Sequence, residues 1–248
     1  MKHISLLCWN IGNPSRHRAE KQADWLGKRS EDFFVLTETK KSEGCFFFKH
    51  YFETRDYHVI VPDIDEREYG TMMISKYPLA KSLFLNYTSL LSSRVVAMTT
   101  SLPEGTLEII GLYVPSRDVS AEKIERKKHF LENVTQALSN APVPAFRIVC
   151  GDFNVLEPDH IPKYRFFKEW EYAFYRNLIS RQLKDAFRHV SPSIHEYSWI
   201  GRTGDGYRYD HCFVSESILP ILKKCFYLHE PREARLSDHS AIIAELSL

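Results

Sequence analysis

The sequence places carboxylate and amide side chains directly after short apolar runs, at the points where strands would end. Asn10 and Glu38 each follow such a run, and so do Asp152 and Asn154. A strand that ends in one of these side chains holds it at the rim of a rigid sheet. Carboxylate oxygens are the ligands that Mg²⁺ and Mn²⁺ prefer. The sequence therefore predicts a divalent-metal site at a sheet edge.

A further group of polar residues stands toward the end of the sequence. Asp210 lies at the start of one apolar run, and Asp238 and His239 come just before the last one. Taken singly, each residue has an ordinary alternative, because carboxylates after strands are usually solvated turn residues. The prediction therefore rests on the whole set of residues.

The elements that would position these residues are short strands separated by turns and amphipathic helices. The patterns predict strands over 4–9, 33–36, 57–61, 71–74, 83–85, 95–100, 107–114, 147–150, 209–214 and 240–246. They predict helices over 16–28, 122–138 and 167–186. Many strands with few intervening helices favour an α+β fold in which two packed sheets carry helices outside, over a doubly wound parallel sheet.

The bulk properties are those of an ordinary globular chain of 248 residues with a net charge of +1. We expect a single domain over 1–248, because no linker or repeat divides the sequence. None of the five cysteines forms a C-x-x-C pair, so we expect buried thiols in a reducing compartment. No run is long enough to span a bilayer and no signal peptide is evident, so we predict a cytoplasmic protein.

Seven segments, spread over nearly the whole chain, resemble motifs of one superfamily in that superfamily's order. They are Cys8-Trp9-Asn10, Thr37-Glu38-Thr39-Lys40, the run 70–78, the run 111–115, Gly151-Asp152-Phe153-Asn154, Tyr209-Asp210-His211 and Ser237-Asp238-His239. On these motifs the chain resembles the endonuclease/exonuclease/phosphatase superfamily, which includes the DNase I-like enzymes. The resemblance implies a four-layer α/β/β/α sandwich with two mixed sheets.

Within the superfamily, the sequence is most similar to the exonuclease III-type abasic-site endonucleases. The segments that carry this similarity are 38–40, 113–115, 183–188, 209–210 and 215–220. Two positions depart from that branch: Gly12 stands where an acidic residue is usual, and Ser116 stands where Asn is usual. The resemblance implies hydrolysis of phosphodiester bonds with Mg²⁺, for which Mn²⁺ substitutes.

The resemblance also implies a role for each residue of the set. Glu38 would bind the metal, helped by Asn10 and Asp238. Asp152 would align or deprotonate the attacking water, and Asn154 would fix its other side. Tyr113 and His239 would contact the phosphate, and Asp210 would orient the ring of His239.

We predict that six further residues bind the substrate. They are Arg94, Ser116, Arg117, Trp199, Tyr207 and Arg208. The aromatic residues among them have an alternative role in core packing, and Arg94 has one in a cross-strand charge pair.

Three functions stay open from the sequence. The first is a nuclease that acts on DNA in preference to RNA, as a monomer and away from membranes. The second is a phosphatase or phosphodiesterase that acts on a nucleotide, a phosphoinositide or another small phosphoester. The third is a non-catalytic binding module, which the complete set of polar residues argues against.

Overall fold

A computed structural model describes residues 3–63 and 65–248 of the chain. Within these ranges the strands are β1 His3–Asn10, β2 Phe33–Lys40, β3 His58–Ile60, β4 Tyr69–Ser75, β5 Ala80–Lys81, β6 Val95–Leu102, β7 Gly105–Tyr113, β8 Phe146–Asp152, β9 Leu183–Asp185, β10 Trp199–Ile200, β11 Gly206–Tyr207, β12 Asp210–Ser215, β13 Leu222–Leu228 and β14 Ala241–Ser247. The α-helices are α1 Arg16–Gly27, α2 Glu43–Glu53, α3 Ala121–Asn140, α4 Glu169–Ser180, α5 Ala186–Val190 and α6 Glu230–Glu233.

Two mixed sheets of six strands each form the centre of the molecule. The first has the order β13-β14-β1-β2-β4-β3, and the second has the order β5-β6-β7-β8-β12-β9. Strands β1 and β2 run parallel in the first sheet, as β7 and β8 do in the second. The carboxyl ends of parallel neighbours meet at the same edge of a sheet, so polar residues that close these strands are brought together.

Apolar side chains from both sheets fill the space between them. Cys8 and Val35 of the first sheet pack in one cluster with Ile109 and Cys150 of the second. At Gly111 a Cβ atom would lie 2.5 Å from a Val35 methyl group. Only a glycine therefore lets β7 lie this close to β2.

Each sheet buries its outer face under a pair of helices. Helices α1 and α2 cover the first sheet, with Ala23 and Phe48 in their shared core. Helices α3 and α4 cover the second sheet, with Phe130 and Phe174 in theirs. The layers therefore follow the order α/β/β/α, which confirms the predicted fold.

The predicted strands are mostly confirmed, and several, such as β2 and β4, extend further than expected, while β3 is shorter than the predicted 57–61. The strand predicted at 83–85 is wrong, because Leu83–Tyr87 forms a 3₁₀ turn that starts at the capping hydroxyl of Ser82. The helix predicted over 167–186 is also wrong in extent. It ends at Ser180, Gln182 takes a left-handed φ of 59°, and β9 follows.

The patterns did not predict α2 or β13. All five cysteines are free and buried, as expected. Among the described residues, no helix has both the length and the apolar character that a membrane crossing needs. That the chain forms a single domain stays a prediction.

Candidate active site

The strand registers place the predicted catalytic residues side by side at one edge of the sandwich. Tyr113 at the end of β7 is opposite Asp152 at the end of β8, and Asp152 is opposite Asp210 at the start of β12. Asn10 closes β1 in the other sheet. The site therefore straddles the rims of both sheets and not a single one.

The amide of Asn10 is the link between the two sheets. Its Nδ2 donates to Glu38 Oε2 at 2.9 Å and to Asp152 Oδ2 at 2.9 Å, and it lies 3.5 Å from His239 Nε2. Its Oδ1 accepts from the backbone N–H of Gly12 at 2.9 Å. Asn10 is fully buried, so this amide fixes the relative positions of the surrounding groups.

Glu38 stands at an irregularity in β2. The pairing of β2 with β4 shifts between Thr37 and Thr39, and Glu38 takes a left-handed φ of 57°. Its carbonyl accepts from Asn13 N at 2.8 Å, which ties the bulge to the loop after β1. A bulge redirects a side chain, and here it leaves the Glu38 carboxylate half-exposed beside the buried Asn10.

The segment after β8 is a tight turn that holds Asp152. Asp152 Oδ1 accepts from Asn154 N at 2.9 Å, and Asn154 takes a left-handed φ of 49°. Gly151 has a φ of 150°, and a Cβ there would lie 1.9 Å from the Leu112 carbonyl oxygen. The glycine is therefore required for the close approach of β8 to β7.

Asn154 is fixed on both sides by the second sheet and its helices. Its Nδ2 donates to Val114 O at 3.0 Å, and its carbonyl accepts from Lys127 Nζ at 2.6 Å. Lys127 is almost fully buried and pairs with Glu171 at 2.6 Å. Helices α3 and α4 thus support the turn that carries Asp152.

Asp210 and His239 form a buried pair beside Asp152. Asp210 Oδ2 lies 2.7 Å from His239 Nδ1, so the ring proton on Nδ1 is directed to the carboxylate. Ser237 Oγ accepts from His239 N at 3.2 Å and donates to Asn10 O at 2.6 Å, which locks the loop onto β1. Asp152, Asp210 and His239 each present a ligand-type atom within 4.8 Å of the others.

The buried charges shift one another's pKa values. Burial and then the neighbouring Asp210 raise the pKa of Asp152 to about 7, against the lowering effect of His239. Burial lowers the pKa of His239, but Asp210, Asp152 and Asp238 outweigh it and raise that pKa to about 10. At neutral pH His239 is therefore a cation and Asp152 is poised to exchange a proton.

Tyr113 and Arg94 flank the site from the second sheet. Burial, Glu38 and Asp152 raise the pKa of Tyr113 far above its ordinary 10, so the phenol stays a proton donor. The Arg94 guanidinium lies 4.7 Å from the Tyr113 ring centre, and its Nε donates to Glu68 at 3.2 Å. Arg94 is 5% exposed and already paired with Glu68. Both residues lie just before strands, so the pair differs from the cross-strand pair that the sequence left open.

A row of aromatic rings extends outward from His239. The backbone of Trp199 pairs with that of His239 in an isolated antiparallel β-bridge. The Trp199 ring centre lies 5.4 Å from that of Tyr207 and 5.9 Å from that of Tyr209. Tyr164 continues the row, 4.4 Å from Tyr207. The Trp199 and Tyr207 side chains are half-exposed, so their outer faces remain free to contact a ligand.

Two of the three predicted metal ligands, Glu38 and Asp238, lie at the open side of the site, while the third, Asn10, is buried. Asp238 is exposed, and its Oδ2 accepts from Trp199 Nε1 at 2.9 Å. Asp238 and Glu38 line the same cleft. Oxygen donors that remain accessible to solvent, next to a buried amide that holds one of them, suit a hard divalent cation.

Two predicted substrate ligands are placed elsewhere. Arg208 is fully buried and donates to Glu157 at 2.7 Å and to Asp185 at 2.6 Å, so the prediction that it binds substrate is wrong. The Arg117 guanidinium is likewise committed to Glu171, with its side chain 2% exposed. Ser116 is exposed on the loop after β7.

The predictions also missed residues that surround the site. Arg18, Arg232 and Arg235 line the cleft with Glu38 and Asp238. No sequence signal sets these arginines apart from solvated surface residues, because two lie on helices and the third in a loop.

An α/β/β/α sandwich with this asparagine, carboxylate and histidine site at its edge has the DNase I-like architecture. The chain belongs to the Endonuclease/Exonuclease/phosphatase family, whose profile matches residues 7–239. A sequence comparison with curated proteins gives no significant match.

Solved structures similar to this chain include an AP endonuclease from Archaeoglobus fulgidus, with 21% identity and a TM-score of 0.82. A 3′ phosphatase, NExo, from Neisseria, bound to a product DNA hairpin, has 20% identity and a TM-score of 0.80. A 3′-5′ exonuclease, NExo, from Neisseria meningitidis has 21% identity and a TM-score of 0.82. Each comparison covers 99% of this chain and 100% of the other.

Proposed function

We propose that this chain is a divalent-metal-dependent phosphoesterase that hydrolyses phosphoester bonds of DNA. The observation that carries the proposal is the amide of Asn10, which contacts both Glu38 and Asp152 and lies 3.5 Å from His239. One buried side chain thereby joins a carboxylate suited to a metal, a carboxylate suited to a base and a cationic imidazole.

Glu38 and Asp238 would hold the metal, with Asn10 positioning the Glu38 carboxylate. The hard oxygen donors fit Mg²⁺, for which Mn²⁺ would substitute. When bound, the ion would neutralise negative charge on the phosphate and the leaving oxygen.

Asp152 would accept the proton of the attacking water. A pKa near 7 suits a general base at neutral pH, because the carboxylate is partly ionised yet basic enough to take a proton. The backbone N–H of Asn154 donates to Asp152 Oδ1, while the side-chain Nδ2 of Asn154 already donates to Val114 O. We therefore assign Asn154 the role of holding Asp152 and not that of fixing the water.

His239 and Tyr113 would bind the phosphate oxygens. Asp210 accepts from Nδ1 of His239, which leaves the Nε2 side facing Asn10 and the centre of the site. A charged imidazole and a neutral phenol both donate hydrogen bonds to the growing negative charge of the transition state.

Two features support DNA as the substrate class. The aromatic row of Trp199, Tyr207, Tyr209 and Tyr164 begins beside His239, and such rings stack on bases. The similar structures include an AP endonuclease and a 3′ phosphatase bound to a DNA hairpin. A net charge of +1 means that the attraction must be local to the site. We also propose a cytoplasmic monomer.

A substrate panel tests the proposal. The purified protein is incubated with Mg²⁺ or Mn²⁺ on abasic duplex, intact duplex, single-stranded DNA, a 3′-phosphate hairpin, RNA and small phosphomonoesters, with chelator controls. Metal-dependent hydrolysis of a DNA substrate is expected. Release of phosphate from the small esters alone would replace DNA with the second candidate, a small-molecule phosphatase. Hydrolysis of none of them would refute the enzyme proposal.

A further inference from the structure

Three arginine side chains converge on a cleft that opens beside the proposed metal ligands. Arg18, Arg232 and Arg235 line it, together with Glu38 and Asp238. We call this the arginine cleft. Arg18 lies on α1, while Arg232 lies on α6 and Arg235 follows it. Two segments that are far apart in the sequence therefore supply the three cations.

Arg18 occupies the space next to Gly12. Its Nη2 donates to Gly12 O at 2.5 Å, while its Nε is buried and has no partner among the described residues. A Cβ on Gly12 would lie 3.5 Å from this Nη2 and 3.9 Å from Asp238 Oδ1. The absence of a side chain at position 12 therefore leaves the guanidinium facing the same space as Asp238.

Three guanidinium groups share the cleft with the two carboxylates of Glu38 and Asp238, and Arg232 Nη2 also lies 3.4 Å from His229 Nδ1. Over residues 3–63 and 65–248, no ion pair within 4.0 Å joins Arg18, Arg232 or Arg235 to an acidic side chain. By contrast, Arg94 and Arg208 elsewhere near the site form ion pairs with Glu68 and Glu157. The cleft therefore carries more positive than negative charge, which favours the binding of an anion.

Guanidinium groups bind phosphate in preference to other anions when several converge, because their planar donors match its oxygens. We propose that the arginine cleft binds a second phosphate of the substrate strand, next to the phosphate that is hydrolysed. This inference rests on the proposed function, and it narrows the substrate class. The enzyme would act on polynucleotides or oligonucleotides, and a substrate with a single phosphate would leave the cleft unused.

The test compares substrates that differ in the number of phosphates. The probes are a thymidine tetranucleotide with a 3′-phosphate, a nucleoside 3′,5′-bisphosphate and p-nitrophenyl phosphate. The central variant is Arg232→Gln with Arg235→Gln, because the loss of these side chains leaves the Gly12 contact intact. Lys223→Gln is the matched control, since Lys223 is an exposed cation on the edge strand β13.

For the double variant, KM for the tetranucleotide is expected to rise at least about tenfold, as for lost hydrogen bonds to a charged group. Turnover of p-nitrophenyl phosphate is expected to stay within about twofold. Arg235→Lys is expected to restore part of the affinity, and Lys223→Gln to change nothing. An equal loss on both substrates, or no loss on either, would overturn the inference.

A binding measurement separates this inference from the proposed function. With excess chelator and a 3′-hydroxyl tetranucleotide, affinity is measured by calorimetry over a range of salt concentrations. The magnitude of the slope of log affinity against log salt is expected to fall by up to about 0.7 in the double variant, because the cleft neutralises one phosphate. An unchanged slope would overturn the inference even in an active enzyme. An arginine-dependent slope in a protein that hydrolyses nothing would refute only the proposed function. Tighter binding of the bisphosphate than of the tetranucleotide would show that the second phosphate does not come from a nucleic-acid strand.

Discussion

Asp210 is the residue on which the charge of His239 depends most. Among the causes that raise the pKa of His239 to about 10, the charge and hydrogen bond of Asp210 are the largest, while burial acts in the opposite direction. Asp210→Asn keeps the size of the side chain and an oxygen that accepts from Nδ1, but it removes the charge. The pKa of His239 is then expected to fall toward its ordinary 6.5, because burial still disfavours the cation.

The size of the effect on activity follows from these two pKa values. At pH 8 a pKa of 10 leaves His239 about 99% charged, and one of 6.5 leaves it about 3% charged. If the cation stabilises the transition state, kcat/KM of the variant falls about 30-fold at pH 8 from the loss of charged His239 alone. At pH 6 His239 remains about three-quarters charged in the variant, so most of this loss disappears. Removal of Asp210 also lowers the pKa of Asp152, because the repulsion between the two carboxylates is relieved.

Two measurements check this prediction. The first is an NMR titration of the His239 ring nitrogens in the presence of chelator, which reports the pKa directly. The second is the pH dependence of kcat/KM with Mg²⁺, in which the optimum of the variant is expected to move to lower pH. Asp24→Asn, which removes an exposed carboxylate on α1, serves as the control. A His239 pKa that stays near 10 in Asp210→Asn would refute the reasoning, as would an equal loss of activity at pH 6 and pH 8.

Three further predictions concern the base and two buried ion pairs. Asp152→Asn is expected to lower turnover at least ~10²-fold, because the general base is lost, and turnover close to wild type would show that the assignment is wrong. Lys127→Met removes one of the two cations that pair with the buried Glu171, Arg117 being the other, and leaves the Asn154 carbonyl without its Nζ donor. Urea unfolding is therefore expected to show a loss of about 1–3 kcal/mol. Lys128→Met on the same helix, where the lysine is more exposed, is expected to cost under about 1 kcal/mol. Burial raises the pKa of Glu157, but its arginine partners bring it down from 4.5 to about 2. This corresponds to about 3 kcal/mol of stability that is present above pH 4.5 and is lost as the pH falls toward 2. Glu157→Gln is expected to flatten that part of the stability profile, and an unchanged acid limb would contradict the pairing.

The parts of the fold that the sequence predicts well are those in which one face of an element is buried. Helix α3 has the apolar period of a surface helix, and its observed span of Ala121–Asn140 contains the predicted 122–138. Helix α2 was missed because its apolar residues are consecutive. Phe46 is 57% exposed although it stands next to buried neighbours, so the segment has no clear helical period.

The proposed catalytic set is predictable because its residues lie at or near strand ends, and that position is insensitive to errors in the strand boundaries. Contacts that depend on which way a side chain points are not predictable in the same way. Tyr207 and Tyr209 turn one way along the chain, so Arg208 between them turns the other way into the interior. Proximity in sequence to a site residue therefore does not place a basic side chain in the site.

The arginine cleft, in contrast, could not be predicted from the sequence. Arg18 and Arg235 are separated by most of the chain, and neither has a distinctive sequence context. Only the packing of α1 against the loop before Asp238 brings them together, where Gln22 Nε2 donates both to Ile11 O and to Leu236 O. Such long-range convergence is invisible to local patterns.

The position of β14 has a consequence for how the molecule is made. This strand lies between β13 and β1 in the first sheet, and Trp9 Nε1 donates to His239 O across 230 residues of chain. During synthesis one edge of β1 therefore stays unpaired until β14 has been produced. Contacts of such high sequence separation slow folding and leave an exposed strand edge in the meantime. Because Asp238 and His239 arrive with that late segment, the nascent chain cannot complete its hydrolytic centre before the first sheet is closed.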